Sequence, residues 1–257
     1  EQLNTNNVVP SLGNVTDSDS QAYGFLIVRN DVRSNVNSYI DKATVDGNSI
    51  TVQALEEAIL EATTSGVATA SGGSLYGTGK VVAFQGTITT NNLLGDTSSY
   101  ITSSSITTTG DLNVNAENKA KVDATLNNSI SSGDQAIGVA IAFNTLGYEA
   151  QNILFNTIDA LLGTSIGTEA PASALAYISD NTALNIGANL NLNATNEAQL
   201  NTTVSNAATS AASALFNAGG MSVGGILASN KVSSQAKAYI DSQYDYSLED
   251  DITTDYD

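Results

Sequence analysis

From Ile50 onward the chain alternates apolar and polar residues: Ile50, Val52 and Ala54, then Ala58, Leu60 and Ala62. Leu112, Val114, Ala116, Ala120, Val122 and Ala124 repeat the pattern, and Leu190, Leu192, Ala194, Ala198 and Leu200 repeat it again. Period-two alternation puts successive side chains on opposite faces, so each stretch is predicted to be a half-buried strand. In the middle stretch Asn113, Asn115, Glu117, Lys119, Lys121 and Asp123 fall on the outer face. Residues 54–62 taken alone are strong helix formers. The match to the other two stretches overrides that propensity, because equivalent positions in stacked units share one backbone.

Two further runs, Phe25-Leu26-Ile27-Val28 and Val139-Ala140-Ile141-Ala142-Phe143, are apolar at every position and bounded by Gly and Asn. Short runs of this kind predict strands covered on both faces. Residues 149–162 follow a different period: Leu154, Ile158, Leu161 and Leu162 share one stripe, Asp159 lies opposite, and Gly163 can close the end of a helix. Residues 207–216 are Ala-rich and fit a helix or a tight inner strand equally well.

A phrase recurs along these elements. Asn30 and Asn91 stand nine residues before Tyr39 and Tyr100, and Asn230 stands nine before Tyr239, each Tyr being followed by Ile. Asn144 precedes Tyr177 by 33, the same phrase with a 24-residue insertion. Gly24, Gly138 and Gly224 each lie six residues before their Asn, whereas Gly86 lies six before Asn92, which reads as a one-residue slip in the second copy. Self-similarity at a long period means stacked units, none of which buries its apolar face alone. The expected organisation is a polar linker or first edge over residues 1–20, a repeat region over 21–240 with a helical insertion at about 147–170, and an acidic tail or linker over 241–257.

The order Gly-x-x-apolar-x-x-Asn, Tyr-Ile, a Gly turn and an alternating strand resembles the repeats of giant haemagglutinin-like, beta-strand-repeat surface proteins of bacteria. The resemblance covers roughly residues 22–240. It implies an all-β fold, an elongated β-solenoid related to the parallel β-helix, with about three 61-residue repeats. It also implies display on the cell surface or release from it.

Composition narrows the chemistry. Eight basic against 26 acidic residues give a formal charge of −18, so phosphate-rich nucleic acid and anionic membrane are poor partners. The chain has no Cys and no His, hence no disulfide, no thiolate site, and neither the commonest general base nor the commonest zinc ligand. No apolar run is long enough for a membrane-spanning helix, and Glu1-Gln2-Leu3-Asn4 does not read as a signal peptide. Few Lys, much Thr, Ser and Asn, and the acidic excess point to an extracellular or cell-surface location.

Candidate functional residues are few. Asn30, Asn91, Asn144 and Asn230 are repeat anchors whose amides can hydrogen-bond from one copy to the next; ligand contact is the competing role. Tyr39, Tyr100, Tyr177 and Tyr239 are read as a stacked corner in preference to a carbohydrate platform. Gln53, Glu56, Asn118 and Asn196 read as ordinary edge or turn positions. Asp245, Glu249, Asp250 and Asp251 in the acidic tail could supply oxygen ligands to calcium, although no EF-hand or Gly-rich nonapeptide motif is present; a solvated tail is the alternative. No pair of acids converges in an aromatic or basic setting, so no catalytic residue and no required cofactor are expected.

The sequence therefore predicts a structural and adhesive repeat segment. Its expected partners are copies of itself, flanking repeats, or a host-cell, matrix or glycan ligand. The alternative is a self-polymerising fibre subunit, because the last Tyr239-Ile240 opens a fourth repeat without completing it.

Overall fold

The computed structural model describes residues 19–71, 80–163, 167–211 and 219–241. The fold is almost entirely β, and its sheets are parallel. The chain makes the same passage repeatedly. The first pass runs β1 (Ser20–Asp41), β2 (Thr44–Gly47), β3 (Ile50–Glu56) and β4 (Ile59–Ala70). The second runs β5 (Val81–Thr102), β6 (Ser105–Thr108), β7 (Leu112–Asn118) and β8 (Lys121–Ser132). The third runs β9 (Gln135–Leu146), the helix α1 (Ile153–Leu162), β10 (Ala172–Ser179), β11 (Ala183–Ile186), β12 (Leu190–Asn196) and β13 (Gln199–Ser210). A fourth supplies β14 (Met221–Val232) and β15 (Ser234–Asp241).

Each strand pairs with its counterpart one pass away. β1, β5, β9 with β10, and β14 with β15 form one long sheet; β2-β6-β11, β3-β7-β12 and β4-β8-β13 form three short ones. Pairing across passes leaves each strand's alternation free to split its residues between an inner and an outer side. The long sheet makes one wall, and the β3 and β4 sheets make the wall facing it. Between them lies a thin core of small and branched side chains. Ile101, Ile178, Leu112 and Val114 fill one end, Leu93 and Leu146 meet Val122 in the middle, and Val81 meets Ile130 at the other end. No aromatic ring takes part in these four clusters, which fits a core that must repeat at strand spacing.

The alternating stretches are strands, including residues 54–62, where the repeat prevails over helix propensity. Each stretch is nevertheless two strands in different sheets. Two residues turn the chain between β3 and β4, and the same bend recurs between β7 and β8 and between β12 and β13. The inner set is as expected, with Val52, Ala54, Leu60 and Ala62 buried. Ala207–Ser210 belong to β13, so the described part of the Ala-rich stretch is strand.

Three expectations fail for identifiable reasons. The second copy has no slip: Gly24, Gln85, Gly138 and Gly224 share one column, and Asn30, Asn91, Asn144 and Asn230 share another. Gln85 occupies the glycine column and fills the room its neighbours leave. A Cβ on Gly24 would stand 1.8 Å from Gln85 Oε1, and one on Gly66 would stand 2.7 Å from Gln85 Nε2. Second, the run in β1 is not covered on both faces, whereas Phe143 at the end of the run in β9 is buried. Tyr23, Phe25 and Ile27 on β1 are 69%, 64% and 53% exposed, since nothing among the described residues packs on that side of the long sheet near them.

Third, the last turn of the helix does not pack its leucines as expected. The helix starts at Ile153 in place of residue 149, and Leu161 and Leu162 are exposed while Asn156 and Asp159 are buried. Its C-terminal closure is the expected one, with Gly163 at φ 65° donating its N–H to the Asp159 carbonyl. The whole insertion leaves and re-enters a single strand line: Leu146 pairs with Leu93, and Ser173 pairs with Asp96. Gly147 makes the exit. Its φ is 76°, and a Cβ there would stand 2.0 Å from the Ser233 carbonyl oxygen. Only a residue without a side chain fits that combination of conformation and contact.

Candidate functional site

Three sets of side chains run across the passes, and each places sequence-selected residues. The first is inside. Asn30 Nδ2 donates to Asn91 Oδ1 at 2.7 Å, Asn91 to Asn144 at 2.7 Å, and Asn144 to Asn230 at 2.9 Å. Inner parity and parallel pairing put all four amides in one line, in which Asn91 and Asn144 both donate and accept. Asn91 and Asn144 are 1% exposed, so these amides hold passes together and are closed to a ligand.

The second set is outside. Tyr39 and Tyr100 stack at 5.2 Å, Tyr100 and Tyr177 at 4.9 Å, and Tyr177 and Tyr239 at 5.2 Å, with interplanar angles of 5–10°. The rings lie within the long strands and point away from the core; the corner comes three residues later, at Lys42, Ser103 and Asp180, all at positive φ. The adjacent Ile40, Ile101 and Ile178 pack inward. Both faces of Tyr100 and Tyr177 are covered by neighbouring rings, which leaves a sugar no face to stack on there. Burial first, and then the neighbouring phenols Tyr100 and Tyr239, push the Tyr177 hydroxyl above the ordinary tyrosine value. Stacked aromatic pairs contribute about 0.5–1.5 kcal/mol each beyond burial. Tyr100→Ala removes two pairs and is expected to lower stability by about 2 kcal/mol, read from the urea midpoint. Tyr39→Ala removes one and should lose about half as much.

The third set is Glu56, Asn118 and Asn196, which are not the ordinary edge or turn positions the sequence suggests, whereas Gln53 is an exposed position on β3. Glu56 and Asn118 are 2% and 0% exposed and close the bend between the two strands of the facing wall. Asn118 Oδ1 accepts the Ala120 N–H at 2.9 Å, while its Nδ2 donates to the carbonyls of Gly95 at 2.8 Å and Ser173 at 3.1 Å. Asn196 repeats this one pass on, accepting from Ala198 N–H and donating to the carbonyls of Ala172 and Gln235. In the first pass Glu56 accepts from Ala58 N–H and cannot donate to a carbonyl. There Ser34, which occupies the Gly95 column, donates its hydroxyl to Glu56. The signal was available: all three are polar residues at the inward parity of their strands.

The insertion has its own anchor. Asp159 on α1 meets Lys231 on β14, with side-chain exposures of 1% and 17%. The Lys231 ammonium also stands 5.7 Å from the centre of the Tyr148 ring. The other four ion pairs among the described residues join positions two apart in sequence, three of them on one strand and the Glu117–Lys119 pair at the β7–β8 bend. Beneath the insertion a cavity of about 20 Å³ is lined by Asn92, Phe143, Thr145, Gln151 and Asn156. That volume suits a single water molecule and nothing larger.

The calcium candidates Asp245, Glu249, Asp250 and Asp251 lie outside the described residues. Among the described residues no group of three or more acidic side chains is placed to hold a metal ion. No described helix is long and apolar enough to cross a membrane. No family model matches this chain, and neither a curated protein nor a solved structure is significantly similar to it.

Proposed function

We propose that the chain is a structural and adhesive segment of a bacterial surface protein, its passes being the turns of a β-solenoid. The observation that carries this reading is the register. Every strand pairs in parallel with its counterpart one pass on, and identical Asn and Tyr residues fall in unbroken columns. Such a stack gains length by adding turns without enlarging its core. The charge of −18 keeps neighbouring bodies from associating indiscriminately. Outer positions carry amides and hydroxyls, as in the Asn113–Asn191 and Asp123–Asn201 contacts, and this is the surface offered to cells or matrix. The haemagglutinin-like resemblance agrees with the reading and rests on the repeated phrase alone.

The dimensions refine it. A 22-residue strand spans about 70 Å, whereas four passes stacked about 4.8 Å apart rise only about 20 Å. This chain by itself is therefore a flat segment, and elongation belongs to a stack of many such segments. A specific observation favours a second reading, the self-polymerising subunit: β1 and the β14–β15 line each have one edge without a strand partner among the described residues. Unpaired edges template further pairing.

Negative-stain electron microscopy of the purified chain, with and without millimolar calcium, separates the readings. Discrete flat particles about 70 Å across in both conditions are the expected result. Filaments would replace the segment reading with the polymerising one. Filaments or ordered particles only with calcium would make the tail carboxylates central, and rounded particles would sink the solenoid.

A further inference from the structure

We propose, on the reading of the passes as turns of one stack, that residues 242–257 extend the fourth pass along β11 and β12 and cover the open end of the core at Ile240. These residues lie outside the described ones. The open end is visible in one column. Ile101 and Ile178 are 0% and 2% exposed, whereas Ile240, which pairs with Ile178, is 54% exposed. The cause is topological. β15 carries the long wall into a fourth pass, but no described strand carries the facing wall there, so β11 and β12 each end their sheet. At the other end of the stack β2 and β3 are in place, and Ile40 packs against the same core through them.

The sequence after Ile240 has the spacing this gap calls for. Leu184, Ile186 and Leu190 follow Ile178 by six, eight and twelve residues, and all three pack on the core from β11 and the start of β12. Tyr246, Leu248 and Ile252 follow Ile240 by the same six, eight and twelve. Leu248 and Ile252 are the only aliphatic residues of the tail, and both fall where the third pass turns an aliphatic side chain inward. The same alignment keeps the acids out of the core. Asp245 falls in the exposed Ala183 column, and Glu249, Asp250 and Asp251 fall at the corner formed by Gly187, Ala188 and Asn189. That corner also offers a bond. Asp111 Oδ1 accepts the Asn189 N–H at 2.9 Å, and Asn189 carries a side-chain oxygen in the same column, where the N–H of Asp251 arrives.

The tether selects this occupant. Asp241 is paired with Ser179, so the tail starts beside the gap at an effective concentration of about millimolar. A second copy has no such advantage and brings eighteen like charges with it. Once placed, the tail carboxylates stand along the last edge, where charge opposes pairing with a further strand.

Cross-linking between introduced cysteines tests the register, since the chain has no Cys of its own. Thr253 falls in the column of the exposed Asn191, as Asp245 does in that of Ala183. In the full chain at low micromolar concentration, with a chelator present, a short bismaleimide should join Asn191→Cys to Thr253→Cys and Ala183→Cys to Asp245→Cys within one chain. The crossed pairs, Asn191→Cys with Asp245→Cys and Ala183→Cys with Thr253→Cys, should link roughly tenfold less. Ile252→Asp should lower the urea midpoint because it carries a charge inward, and Thr253→Asp should leave it unchanged. Equal linking of matched and crossed pairs, links formed only between two chains, links that require calcium, or a midpoint indifferent to Ile252→Asp would each overturn the proposal. Asn113→Cys with Asn191→Cys lies within the stack and should link whatever the tail does. Its failure would overturn the stack reading and this proposal with it, whereas failure of the matched pairs alone would overturn only this proposal.

Discussion

Asn118→Leu is expected to cost about 4 kcal/mol, nearly all of it from hydrogen bonds lost inside the protein. Leucine keeps the number and branching of the side-chain heavy atoms, so the loss is not a cavity effect. What disappears is one acceptor and two donations at a residue with 0% exposure: the Ala120 N–H and the carbonyls of Gly95 and Ser173 lose these bonds together. Each buried polar group stripped of its partner costs about 1–3 kcal/mol, and three such groups place the sum well above an ordinary substitution. Asn118→Asp should do no better. It keeps the bond from Ala120 N–H but turns a negative oxygen toward two carbonyl oxygens. Asn196→Leu should cost less, because its site is only partly buried and water can reach the released groups. Urea unfolding of the three variants checks this, and a loss under about 1 kcal/mol for Asn118→Leu would mean that the bend relaxes around the apolar side chain.

That bend also shows how far the sequence was legible. The alternation of Ile50, Val52 and Ala54 and its two echoes carried strand identity, inner face and register, because parity alone decides which side chains meet. The Asn and Tyr columns were legible for a related reason: one residue type recurring at one offset lands on itself when passes stack. The bend was not legible as a bend, since Glu56, Asn118 and Asn196 continue the alternation without a Gly or Pro to mark a turn. Their polarity at inward positions was the signal, and the Glu in one copy obscured it. The supposed slip came from anchoring the second copy on Gly86. The structure anchors on Asn91 and lets Gln85 fill the glycine column. The exposed face of Tyr23, Phe25 and Ile27 escaped notice because an apolar run reads alike whether its second face is covered or bare.

The helix was misread because its decisive partner lies 72 residues away, and this separation underlies the second large effect. Periodicity put the leucines of α1 inward, yet Asp159 turns to the sheet because Lys231 on β14 is there to meet it. Lys231→Met should cost about 3–5 kcal/mol, the range for breaking a buried ion pair by removing one partner. The loss is expected to be local first. The insertion joins the long sheet at its two ends and through α1, so it can detach while the stack persists. Limited proteolysis should therefore cut within residues 149–163 in Lys231→Met before global unfolding begins, and the wild-type chain should resist there. The double variant Lys231→Met with Asp159→Leu replaces the pair by apolar groups of similar size. It should recover most of the stability, because two desolvated charges are removed with their mutual attraction. Recovery would identify the pair as a device that fixes which face of α1 meets the sheet. Failure to recover, with both singles equally damaged, would mean that Asp159 holds the insertion through its other contacts as strongly as through the lysine.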